Sequence, residues 1–148
     1  MMKNSQEKKP KTVLITGATS GIGHELSKLF ALNGYNLVLV ARNKPRLEHL
    51  ANELRQKFSV SAGIIPKDLS VPTSPEEIFA ELQDKSIHLD ILVNNAGFNE
   101  YGPFSETDLQ KELQMIQLNI ASLTCLTKLF LPAYTKKSGC QNGKGYAE

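Results

Sequence analysis

Apolar positions arrive in short aliphatic runs separated by longer stretches in which they recur at helical spacing. Thr12 to Ile15 forms the first run. Ile22, Leu26, Leu29 and Phe30 follow at i, i+4, i+7 and i+8, which predicts an amphipathic helix with one apolar face. Asn33-Gly34 marks its end. Asn36 to Ala41 is a second aliphatic run, and Leu47, Leu50, Leu54 and Phe58 line a second helix over Pro45 to Phe58. Val60 to Ile65 reads as a third strand. Ser74-Pro75-Glu76-Glu77 predicts a helix start of capping-box type, with Ile78, Phe79 and Leu82 on its buried face. Ile91 to Asn94 is the fourth strand. Ser105 to Asp108 can open a last, long helix, whose inner stripe is expected to hold Leu109, Leu113, Ile116, Ile120, Leu123 and Phe130.

Strands that alternate with helices through short loops predict an α/β fold of Rossmann type: a doubly wound parallel sheet joined by right-handed crossovers. The strands are aliphatic throughout rather than alternating, as strands covered on both faces are. The first turn sharpens this. Thr16 to Gly23 reads T-G-A-T-S-G-I-G, directly between a strand and a helix. Gly17 suits the tight reversal, Gly21 would let a pyrophosphate approach the main chain, and Gly23 would let the helix pack closely on the strand. The first N–H groups of the helix would face the phosphates. The spacing is G-x-x-x-G-x-G, and no Lys-Ser or Lys-Thr follows as a P-loop requires. Taken alone, the motif could also be a merely glycine-rich turn. Thr16 to Gly23, Arg42, Asp68 and Asn94 to Gly97 all fall at carboxyl ends of predicted strands, where such sheets bind ligands.

The second strand ends in Ala41-Arg42-Asn43, with no acid to accept from a ribose 2′-hydroxyl. A guanidinium there suits a 2′-phosphate, so the expectation is NADP(H) in preference to NAD(H). The bland alternative is a surface arginine. Asn119 lies on the apolar stripe of the long helix and needs partners there; it either sits satisfied in the core or serves the site.

Composition excludes more than it adds. The 148 residues carry a net charge of +2, too little to argue for nucleic acid or a membrane surface. Cys125 and Cys140 give no disulfide framework and suit a reducing compartment, so a cytoplasmic location is expected. No uninterrupted apolar run approaches a membrane span. Met1 to Pro10 is a polar tail without the apolar core of a signal peptide. His24, His49 and His88 lie in separate segments without ligand spacing, so no metal site is expected.

Together these residues resemble the short-chain dehydrogenase/reductase family over about Lys11 to Gly139. The resemblance implies a strand order of 3-2-1-4. It also implies cofactor contacts from Gly17, Thr19, Ser20, Gly21, Ile22, Gly23, Arg42, the Asp68-Leu69 pair, Asn95, Ala96 and Gly97. Asn119, in Leu118-Asn119-Ile120, matches the asparagine that supports the family's catalytic relay. The implied activity is hydride transfer between a nicotinamide and an alcohol or carbonyl carbon. The family's serine and its Tyr-x-x-x-Lys pair have no counterpart: Tyr134 is followed four residues on by Ser138, and Tyr146 has neither a preceding strand nor a following lysine. The ending from Cys140 to Glu148 is atypical of the family, and the later strands are missing. The chain alone is therefore expected to be inactive, with a small-molecule substrate only in a longer form. The alternatives are a non-catalytic dinucleotide-binding or interaction module that associates with a full-length relative through the open edge of β-sheet, and an unstable fragment.

Overall fold

The computed structural model describes residues 9–137. Four strands, β1 (Thr12–Thr16), β2 (Asn36–Ala41), β3 (Ala62–Pro66) and β4 (Ile91–Val93), form one sheet of order β3-β2-β1-β4. Every pairing is parallel. Val13 stands opposite Leu37 on one side and Ile91 on the other, and Leu37 opposite Ala62. The expected doubly wound α/β architecture and strand order are both present.

Helices α1 (Gly21–Leu32) and α2 (Lys44–Phe58) cover one face of the sheet. There Val13, Ile15, Leu37 and Leu39 meet Leu47, Leu50 and Leu54. Helix α3 (Ser74–Asp84) and the long C-terminal helix cover the other face. Leu14, Val38, Val40 and Ile65 meet Ile78, Leu82, Leu126 and Phe130 there. Adjacent strand residues thus enter different cores, which is why the strands are aliphatic without alternation.

Several boundaries differ from the sequence reading. The third strand starts at Ala62 rather than Val60, because Ser59 closes α2 in the left-handed region at φ 55°. The fourth strand ends at Val93, one residue before Asn94. The capping box at Ser74 does not form. Thr73 takes the cap position without a side-chain cap bond, and the Ser74 hydroxyl donates instead to the Asp68 carbonyl at 2.7 Å.

Two helix faces are corrected. In α1 the buried positions are Gly23, Ser27 and Ala31, with Leu26 and Phe30 half-buried, while Ile22 is 73% and Leu29 55% exposed. The closest approach to the sheet goes to the small residues, which let the helix axis come near. The long helix runs as α4 (Leu109–Ile116), a π-helical stretch at Gln117–Ser122, and α5 (Leu123–Lys137). The wider π turn shifts the phase of the pattern. From its last residue onward Ser122, Leu126 and Phe130 point into the core, whereas Leu109, Leu113, Ile116, Ile120 and Leu123 are all at least 40% exposed. Only Phe130 of the predicted inner stripe is inside. The run Leu109–Pro132 spans 24 residues with a mean hydropathy of 1.2 in its most apolar window, so by length and composition this helix could cross a membrane. The sequence contains no uninterrupted run of that kind because Gln114, Gln117 and Asn119 break it.

The tails expected at 1–10 and 140–148 fall outside the described residues, apart from Lys9 and Pro10.

Candidate functional site

Thr16, the last residue of β1, ties the carboxyl ends of β1 and β4 together. Its side chain is 1% exposed. Its hydroxyl accepts from the backbone N–H groups of Asn95 at 2.9 Å and Ala96 at 3.0 Å, and lies 3.3 Å from the Val93 carbonyl, to which it donates. Asn95 answers in the other direction. Its amide nitrogen donates to the Thr16 carbonyl at 3.0 Å and the Gly17 carbonyl at 3.3 Å. The glycine turn is therefore held by the Thr16 and Asn95 side chains together with the Ala18 N–H, which donates to the Val40 carbonyl at 3.3 Å.

This packing explains the glycines. Gly17 adopts φ +65°, and a Cβ there would stand 2.9 Å from both the Ala96 Cα and the Asn95 amide nitrogen. A Cβ on Gly23 would come within 2.4 Å of that nitrogen and within 2.3 Å of the Gly17 carbonyl oxygen. Gly21 differs: nothing lies within 4 Å of where its Cβ would be. The main chain is thus open at the mouth of α1, where the first helical N–H groups point outward.

Beside the turn lies a cleft of about 500 Å³. Gly17, Thr19 and Ser20 line it from the first loop, Arg42 from the end of β2, Asp68 and Leu69 from the end of β3, and Ala96 and Gly97 from the end of β4. These predicted residues, drawn from four strand ends, therefore share one cavity. Gly21 and Ile22 stand at a shallower hollow on α1 with His24, Glu25, Leu26 and Leu29. Asn95 and Gly23 act behind the lining, as the framework of the turn.

The Asp68-Leu69 turn is anchored from three directions. Asp68 Oδ1 accepts from the Ser70 N–H at 2.9 Å and the Ser70 hydroxyl at 2.7 Å, an Asx-type turn. The Ser74 hydroxyl holds the Asp68 carbonyl, and the buried Ser122 hydroxyl donates to the Leu69 carbonyl at 2.6 Å. Asp68 Oδ2 lies 3.9 Å from Arg42 Nη1, a loose and largely exposed ion pair.

Asn119 sits in the π-helical stretch and is half-buried. Its amide nitrogen donates to the Phe98 carbonyl at 2.9 Å, and its oxygen accepts from the Phe98 N–H at 3.2 Å. A Cβ on Gly97 would meet that oxygen at 3.1 Å. The asparagine is thus satisfied, and it clamps the segment that follows β4 onto the helix.

The sequence reading missed Asn43, Arg46, Lys67, Phe98 and Leu118, which also line the cleft. Arg46 was legible in principle, because it stands in the first turn of α2, whose start follows the cleft-lining Arg42. Asn43 caps that helix by accepting from the Arg46 N–H at 3.0 Å. Lys67 is paired with Glu77 and holds that carboxyl below its ordinary range, aided by the Thr73 hydroxyl. On α5, burial and then the Glu76 carboxylate 3.2 Å away push the Cys125 thiol up. No group of residues suited to a metal ion occurs among the described residues.

Comparison with known proteins agrees with this geometry. The model of the short chain dehydrogenase family matches residues 11–141. The chain is 36% identical over 131 residues to the uncharacterized oxidoreductase YmfI of Bacillus subtilis, covering 87% of this chain and 53% of that protein. Among solved structures it is similar to a short-chain dehydrogenase from Sphingobium yanoikuyae in complex with NADPH, with a TM-score of 0.80, 37% identity, and coverage of 86% of this chain and 49% of that one. It is also similar to the bulky-bulky ketone specific alcohol dehydrogenase from Comamonas testosteroni, with a TM-score of 0.81, 34% identity, and coverage of 88% and 52%. The chain spans about half the length of these relatives. On the strength of its parallel sheet, its glycine turn and a match running through nearly all of its residues, the chain belongs to the short chain dehydrogenase family.

Proposed function

We propose that the chain is the NADP(H)-binding half of an oxidoreductase, and that these 148 residues by themselves bind the dinucleotide without turning over a substrate. The observation that carries this reading is the placement of Arg42, Arg46 and Lys67 around one cleft whose β2 end offers no carboxylate to a ribose 2′-hydroxyl. The residues fit a dinucleotide. The uncluttered main chain at Gly21 and the start of α1 would take the pyrophosphate. Thr19 and Ser20 would contact the neighbouring phosphate and ribose oxygens, Asp68 and Leu69 the adenine, and Ala96 and Gly97 the adjoining ribose. Arg42 and Arg46 would meet the 2′-phosphate. When bound, the cofactor would supply a hydride donor or acceptor. This chain's residues would orient it, and Asn119 holds the segment that follows β4, at Phe98, against the helix.

Tyr35, Tyr101 and Tyr134 have Leu39, Ser105 and Ser138 four residues on, so none of them offers the family's Tyr-x-x-x-Lys pair. Hydride transfer with a substrate, oxidising an alcohol or reducing a carbonyl, is accordingly a property proposed for a longer form. The NADPH seen in the Sphingobium yanoikuyae structure supports the choice of cofactor by similarity.

Titration calorimetry with NADPH and NADH tests the reading, alongside a thermal melt. Saturable binding that favours NADPH is expected, with a melting point raised by the ligand. Arg42→Asp should weaken NADPH roughly tenfold or more, as the loss of a charge-assisted contact would, and narrow or reverse the preference. Equal affinity for the two cofactors would overturn the assignment of Arg42, and absence of binding to either would overturn the proposal.

A further inference from the structure

The cofactor cleft has a neighbour. A hollow of about 280 Å³ lies between the start of α1 and the start of α2, lined by Thr19, His24, Pro45, Arg46, His49 and Leu50. Thr19 and Arg46 line the cleft as well, so these two residues form a partition between the spaces. Arg42 and Asn43, just beyond β2, line the cleft on this side of β1, while Ala96 and Gly97 line it on the β4 side. The hollow therefore adjoins the end of the cleft assigned above to the 2′-phosphate.

Two histidines from different helices meet at this hollow. On α2, Pro45, Arg46, His49 and Leu50 stand one turn apart on a single flank, so the sequence spacing alone brings a ring beside the guanidinium. On α1, His24 Nδ1 lies 3.0 Å from Glu25 Oε1, a carboxylate that Lys28 Nζ also approaches to 3.7 Å. The Arg46 guanidinium and the His49 ring have no hydrogen-bond or ion-pair partner among the described residues. The other charges nearby are engaged or set apart. Glu48 is held by Lys44 at 3.8 Å, Asp68 faces Arg42, and Glu53 stands one helical turn beyond His49. No carboxylate lines the hollow itself. A guanidinium and two imidazoles converging on one space oppose each other's positive charge, and a phosphate at the partition relieves that repulsion. Anion binding and protonation of the rings are therefore linked, each favouring the other. Imidazole is the side chain whose ordinary change of charge falls between about pH 5 and 8.

We infer that His24 and His49 are specificity-determining residues for the 2′-phosphate, acting across the Thr19–Arg46 partition. Their protonation adds to the affinity for NADP(H) and leaves that for NAD(H) alone. This rests on the assignment of the cleft to NADP(H). It adds a dependence on pH that Arg42 and Arg46, charged throughout, do not supply.

The test is titration calorimetry with NADP+ and NAD+ at about pH 6 and about pH 8, comparing the 148-residue chain with the double variant His24→Gln/His49→Gln. His49→Gln alone, at an exposed position of α2, runs beside it, and a melt at each pH checks that every chain is folded. The 2′-phosphate itself takes up a proton near about pH 6, which weakens binding to all chains alike, so the ratio between chains isolates the rings. For NADP+ the double variant should bind roughly threefold or more weakly at about pH 6, the size of an exposed charge contact, and within roughly twofold at about pH 8. For NAD+ the chains should agree within roughly twofold at both. His49→Lys, which fixes the charge, should raise NADP+ affinity at about pH 8 above that of the unsubstituted chain. If the unsubstituted chain prefers NADP+ at about pH 8 but the ratio stays flat with pH, the role of the histidines is overturned and the cofactor reading stands. If NADP+ and NAD+ bind alike at every pH, the cofactor reading falls, and this inference with it. An equal loss of NAD+ binding in the variants would mark a structural effect on the turn and overturn the specificity role. Inorganic phosphate that binds without displacing NADP+ would make the hollow a separate anion site and overturn it too.

Discussion

At the scale of single residues the site depends on contacts too close for a side chain. Gly23 faces the Gly17 carbonyl and the Asn95 amide with no room for a methyl group. Gly23→Ala should cost about 1–3 kcal/mol, as overpacking does. The loss would be read in urea denaturation, with cofactor binding weakened in parallel because the turn must shift. Thr16→Val keeps the shape but strips the acceptor from two backbone N–H groups. Leaving those donors unsatisfied should cost on the order of 1–3 kcal/mol in the same measurement. Charge gives a third residue-scale test. The Lys67 ammonium lowers Glu77, with help from Thr73. A carboxyl lowered in the folded state stabilises it above the ordinary carboxylate range and loses that contribution as pH falls through the folded value. In a carboxyl-carbon NMR titration Glu77 should titrate below the ordinary glutamate value. Lys67→Met should return it toward 4.5, the ordinary value. An unmoved midpoint would show that the pair is not formed in solution.

At the scale of elements the long helix shows how one change of phase redirects a pattern. Before the π-helical stretch the apolar side chains face out, and beyond it Leu126 and Phe130 face in. Leu126 is fully buried, so Leu126→Ala should cost about 2–5 kcal/mol. Ile120 is 59% exposed, so Ile120→Ala should change stability by less than about 0.5 kcal/mol. Similar losses at both positions in denaturant melts would contradict the arrangement. The periodicity of this helix was visible in the sequence, but its facing was not. A π turn leaves no compositional mark, and a stripe of leucines reads the same whether it meets a core or another surface.

At the scale of the whole molecule the sheet is the common wall of two cores. β1 is paired on both sides and buried on both faces, whereas β4 is paired on one side among the described strands and only half-buried. Backbone amides of Val13 to Ile15 should therefore exchange slowest, and those of Ile91 to Val93 markedly faster, in native-state hydrogen exchange on the free chain. Uniform protection across the sheet would mean that the β4 edge is already covered.

The helix alternation and most lining residues of the cleft were legible because they rest on local signals, while the strand order came from the family resemblance. An aliphatic run, a glycine turn and a helix start each declare themselves within a few residues. Their meeting at one edge follows from the handedness of the crossovers. Gly17, Arg42, Asp68 and Ala96 could thus be assigned to one site before any coordinates. The tertiary structure alone decided the rest. It made Thr16 and Asn95 the knot between two strands, put Arg46 and Lys67 on the cleft, withheld the Ser74 hydroxyl from its helix for the Asp68 carbonyl, and turned two apolar stripes outward. Each of these depends on which distant segment lies alongside, and a partner about eighty residues away, such as Asn95 for Thr16, leaves no trace in local periodicity.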